Sequence, residues 1–170
     1  VARDRVRAAA RAGAMSKESA ERAATVVSEL FTPFTREIEP TPAPRQTPLD
    51  ERIERLVQRY WKIYGDPRYF AVIEILCAIR HDRVLSETVK VFRADQVTVL
   101  EDFLPREFPE VRMTPHEMRM VVHHVLDLMR GFAIRTLFEN GPGFVTDLLD
   151  ECRHIIREEF EAAIPGGQGA

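Results

Sequence analysis

TPHEMRMVVHHVLDLMRGFAIRTLFENGPGFVTDLLDECRHIIREEF, residues 114–160, decides the fold. It opens on Thr114-Pro115-His116-Glu117, a capping box with proline at the first helical position. Proline is tolerated there because that N–H has no intrahelical partner. Apolar residues recur at helical spacing as far as Phe138, and Asn140-Gly141-Pro142 closes the run. Asn-Gly also makes hairpin turns, but flanks of helical period make this one a helix stop. Val145, Leu148, Leu149, Cys152, Ile155, Ile156 and Phe160 then trace one apolar stripe. Asp147, Asp150, Arg153, Arg157 and Glu158 occupy the other faces. Two helices, 115–139 and 144–163, joined by a short turn, are predicted.

The same punctuation recurs upstream. Thr47-Pro48-Leu49-Asp50 and Asp66-Pro67 each place a capping side chain before proline. Gly65 and Pro105 read as stops. Helices are predicted over 2–12, 16–38, 48–64, 67–81 and 83–104. EPTPAPRQTP (39–48) is a stiff loop with four prolines, and IPGGQGA (164–170) a flexible tail. No alternating segment reads as a strand. The predicted class is all-α, a bundle of about seven helices, without internal repeat or long heptad run.

Two helices carry more than one message. In 115–139, Met118, Val122, Val125, Met129 and Phe132 form one row, and Val121, His124, Leu128 and Gly131 a second about 100° away. Leu126, Ala133 and Leu137 widen the arc. A helix apolar over half its girth must be covered from two directions. In a chain this short, a second subunit is one such cover, and Gly131 and Ala133 allow close approach. In 83–104, Gln96 interrupts the row Leu85, Val89, Phe92, Val99 and Phe103. It reads either as a satisfied core amide or as a polar contact in a ligand cavity.

Composition narrows the function classes. A chain of 170 residues suits one domain and buries roughly 70% of the surface its unfolded form exposes. With 45% hydrophobic and 30% charged residues it is not disordered for most of its length. The most apolar stretch, FAVIEILCAI (70–79), is too short for a membrane span and contains Glu74. Cys77 and Cys152 make neither a disulfide framework nor a zinc site, and suit a reducing, cytoplasmic location. Net charge is −3. Residues 1–14 hold four arginines against one aspartate, and residues 113–170 five arginines against nine acids. A short basic start is no footprint of a self-sufficient nucleic-acid binder.

Three segments resemble the C-terminal regulatory domain of TetR-type (tetracycline-repressor-like) transcription regulators. Ser16-Lys17-Glu18 resembles the family's entry into its fourth helix. LDERIERLVQRYWKIYGDPRYFAVIEILCAIRHD (49–82) resembles an amphipathic helix, a short turn and a fully apolar helix that follow. LDLMRGFAIRTLFENGPG (126–143) resembles the approach to the last helix. The resemblance covers residues 16–163. It implies an effector pocket enclosed by the helices from 48 to 104 and by 115–139. It also implies a four-helix dimer interface from 115–139 and 144–163 of two subunits, with 16–38 transmitting the state of the pocket. The family's N-terminal helix-turn-helix is expected to be largely missing. Residues 1–15 read as a remnant of it, so DNA contact would run only through a module incomplete in this chain.

On that resemblance the ligand-binding candidates are Trp61, Tyr64, Phe70, Ile73, Cys77, Phe92, Gln96, Phe103 and Met129. Each taken singly also reads as ordinary core. Met118, like Met129, offers an adaptable wall or plain core. The candidate dimer interface is Val121, His124, Val125, Leu128, Phe132, Leu148, Leu149, Cys152, Ile155 and Ile156. His124 reads as a satisfied buried histidine, a ligand contact or a pair across the dimer axis. Two metal patterns are weak. His123 and Asp127 lie on the polar face, and Glu151-Cys152-Arg153-His154 is a single Glu-x-x-His where a di-iron bundle needs two. Neither a phosphate loop nor a nucleophile elbow is present. No cofactor, metal or catalytic residue is expected. The expected partners are a second copy and a small, mostly apolar effector, with no membrane. The alternative is a small all-α protein–protein interaction domain without ligand.

Overall fold

The computed structural model of the chain describes Thr25 and residues 42–67, 69–70, 73–74, 83–139, 141 and 143–165. Among the described residues four helices are defined: α1 (Leu49–Tyr64), α2 (Arg83–Glu107), α3 (Pro115–Arg135) and α4 (Phe144–Ala162). All regular structure among the described residues is helical. The helices expected over 2–12, 16–38 and 67–81 fall wholly or mostly outside them. No helix among the described residues is long and apolar enough to cross a membrane.

The chain divides into two compact units, residues 1–39 with 67–99, and residues 40–66 with 100–170. In the first, Tyr69 and Val89 are buried. The second has a well-defined core. α1 contributes Ile53, Leu56, Val57, Tyr60 and Ile63, spaced so that one stripe faces inward. α3 contributes Met118, Val122, Val125, Leu126, Met129 and Ala133. α4 closes the three-helix packing with Leu148, Leu149, Cys152, Ile156 and Phe160. Phe108, just past α2, meets Phe160 edge to face with ring centroids 4.9 Å apart. The backbone N–H of Arg112 donates to Ala163 O at 3.0 Å, tying the loop after α2 to the end of α4.

The helix ends follow local chemistry, with three departures from expectation. The capping box at Thr114 is complete. Glu117 N–H donates to Thr114 Oγ1 at 3.2 Å, and Thr114 N–H to Glu117 Oε2 at 2.7 Å. At α1, by contrast, Thr47 caps nothing. Its N–H closes a turn on Pro44 O at 2.9 Å, Pro48 is extended, and the helix begins one residue later. Pro105 does not stop α2. The helix runs on to Glu107, and Phe108 N–H reaches Leu104 O at 2.9 Å, because burying the Phe108 ring rewards another turn while the Glu107 carboxylate keeps a partner in the Ala43 N–H. α3 ends at Arg135 rather than 139. The N–H groups of Leu137 and Phe138 reach back three residues, to Ile134 and Arg135, in a tighter turn. Both side chains are exposed, so no apolar burial draws the helix onward. Gly143 opens α4 at φ 99°, a backbone setting that favours glycine.

Candidate functional site

The proposed pocket residues divide between the two units. Tyr64, Phe103 and Met129 are buried in the core of the second. Tyr64 has the Arg130 guanidinium 5.4 Å from its ring centre, joining α1 to α3. Phe103 has Arg59 at 6.0 Å. Trp61 is half-buried beside Gly65, where a Cβ would stand 3.0 Å from the indole, so glycine is what lets the ring lie there. Phe70, Ile73 and Gln96 belong to the first unit and are half-buried. Cys77 and the side chain of Phe92 lie outside the described residues.

The proposed interface residues also separate. Val125, Leu148, Leu149, Cys152 and Ile156 are consumed by the chain's own core. Val121, Phe132 and Ile155 are half-buried, while His124 and Leu128 are exposed. The stripe of α4 thus packs inward, against α1 and α3. Its outward face is acidic, with Asp147, Asp150, Glu151, Glu158 and Glu161 all exposed around His154. Burial, then the neighbouring Glu151, pushes the Cys152 thiol up to about 11, which makes it an unreactive core residue.

α3 is different. Its inner side is core, yet Met120, Leu128 and Ile134 stand exposed on its outer side. Leu137 and Phe138 follow in the turn, Phe138 at 81% exposure. Gly131 lies in the middle of this outer side, with nothing within 4 Å of where its Cβ would be.

One polar cluster escaped the sequence reading. Arg52 is only 7% exposed, and its guanidinium lies 5.4 Å from the centre of the Phe108 ring. It donates to the backbone oxygen of Glu107 and to the Glu110 carboxylate, whose Oε2 is 3.1 Å from Nη1. The buried Glu107 carboxylate accepts the Ala43 N–H at 2.7 Å. Burial alone would raise the Glu110 carboxyl, but the Arg52 hydrogen bonds, a bond from Glu110's own backbone and the Arg52 charge outweigh it and hold the group below its usual range. The available signal was position, since Arg52 precedes Leu56, Tyr60 and Ile63 on their own helical row. The cluster fastens the start of α1 to the end of α2 and is structural.

The two metal patterns lead elsewhere. Asp127 pairs with Arg130, and His154 lies 4.0 Å from Glu158 rather than beside a second Glu-x-x-His. Among the described residues no group of three or more His, Cys, Asp or Glu is placed to hold a metal ion. No protein-family model, curated protein or solved structure matches the chain.

Proposed function

We propose that this chain is the dimerising, effector-sensing domain of a TetR-like transcription regulator, working in the cytoplasm. The observation that carries the reading is the two-sided α3. One side is packed into the chain's own core, and the other keeps Met120, Leu128 and Ile134 exposed around Gly131. A second copy is the cover such a helix calls for, as the resemblance implies. The effector would be small and mostly apolar, in keeping with the aromatic character of Trp61, Phe70 and Ile73's neighbourhood in sequence. A ligand would act only through a difference in affinity between two states of the dimer. DNA contact belongs, on this reading, to an N-terminal helix-turn-helix.

A second reading has an observation of its own. Tyr64, Phe103 and Met129 are buried as ordinary core, which favours an interaction domain without a ligand. Thermal unfolding against a panel of flat aromatic and medium-chain aliphatic compounds separates the two. The regulatory reading expects one compound to raise the melting temperature saturably, at one molecule per chain. A dimer that no compound in the panel stabilises would favour the interaction domain.

A further inference from the structure

We propose that Met120 and His124, on the exposed side of α3, form a binding site for one soft monovalent cation, Cu(I) or its analogue Ag(I). Met120 is the one exposed methionine among the described residues, at 38%, whereas Met113 is half-buried and Met118 and Met129 are core. His124, four residues on, is exposed as well, and among the described residues nothing pairs with its ring. On a helix, side chains at i and i+4 stand one above the other, with Cβ atoms about 5–6 Å apart. Helical side chains lean toward the N-terminus, so a ring at 124 leans toward the turn of Met120. A thioether sulfur and an imidazole nitrogen at that spacing close on one small ion. Thioether sulfur selects Cu(I) among biological metals, and imidazole binds copper too. Ions of this class are satisfied by two ligands, which is what this face supplies.

The neighbouring groups favour this class over a harder divalent ion. A zinc-like ion takes four ligands, and the set here is short of oxygen and nitrogen. The two carboxylates within a turn of the pair, Glu117 and Asp127, are held by Thr114 and Arg130. His116, one turn before Met120, accepts from Arg119 Nη2 at 2.8 Å and lies 3.8 Å from Glu101. His123 is half-buried and has contacts of its own. Sulfur and one imidazole remain. The pair thus differs from the two weak metal patterns of the sequence, both of which relied on a carboxylate. It is independent of the regulatory reading, since a second copy centred on Gly131 would meet α3 three turns further on, about 16 Å along the axis.

Silver(I) added to the full chain bearing Cys77→Ser is the test, read by the methyl signals of isotope-labelled methionine and the ring signals of histidine. Cys152 does not compete, because it is buried and its thiol is pushed up to about 11. One methionine methyl, identified by its absence in Met120→Leu, should move and saturate at one ion per chain, together with the His124 ring. Met120→Leu and His124→Gln should each weaken binding about tenfold or more, at least as much as losing an outer-shell partner does. His116→Gln should leave it unchanged. Cu(I) should displace the silver, and about a tenfold excess of Zn(II) should not. Both ligand positions are exposed, so these variants should keep the wild-type circular dichroism. A Met120 signal that silver leaves in place, binding unmoved by His124→Gln, or displacement by Zn(II) overturns the site. The regulatory reading stands in each of those cases, since thermal unfolding against apolar compounds judges it separately.

Discussion

Replacing Arg52 by alanine tests whether the buried cluster fastens α1 to the end of α2. The substitution removes a guanidinium that holds the Glu107 backbone oxygen, pairs with Glu110 and covers the Phe108 ring. Breaking a fully buried ion pair costs about 3–5 kcal/mol. Here the figure is smaller, because the Glu110 side chain is 32% exposed and can regain water. The abandoned Glu107 oxygen adds about 1–3 kcal/mol and the ring contact about 0.5–1 kcal/mol. These terms overlap, and about 3 kcal/mol is the expected loss. For a chain of this size that is a fall in Tm of about 6–12 °C. Urea unfolding followed by circular dichroism would show a lower midpoint with an unchanged slope. The pH dependence carries a sign. Glu110 has its folded pKa lowered from 4.5, so its pairing stabilises fully above that value and is lost as pH falls through the lower folded one. The gap between wild type and R52A should therefore narrow below about pH 4.5. A loss under about 0.5 kcal/mol, or a gap constant from neutral pH to well below 4.5, would refute the reasoning.

Three further outcomes follow from the same structure. Thr114→Ala removes the hydroxyl that accepts the Glu117 N–H and donates to Glu117 Oε2, leaves the backbone half of the α3 capping box, and should cost about 1 kcal/mol, read as a lower urea midpoint. With Cys77 replaced by serine, the remaining Cys152 should resist a thiol reagent at pH 8 in the native protein and react at once in denaturant; a fast native reaction would show that its burial is wrong. Gly65→Ala should lower stability by about 1 kcal/mol, because the new Cβ would stand 3.0 Å from both the Trp61 ring and its carbonyl oxygen. An alanine there that leaves the midpoint unmoved would mean that the Trp61 ring lies elsewhere.

The sequence by itself determined that the described chain is helical and where most helices begin. Capping boxes, prolines at first turns and apolar spacing act within a few residues, so they are legible without a fold. Thr114 and the α4 stripe are examples, each found where its spacing put it. Tertiary structure alone decided which way each stripe turned. Four of the five α4 residues expected at a partner's surface, Leu148, Leu149, Cys152 and Ile156, are the chain's own core, since α1 and α3 pack on that side. It also decided that α2 passes Pro105, because burying Phe108 outweighs one lost helical bond. Arg52 shows the limit most plainly. Its burial depends on Glu107, Phe108 and Glu110, more than fifty residues away, and no local rule reaches that far.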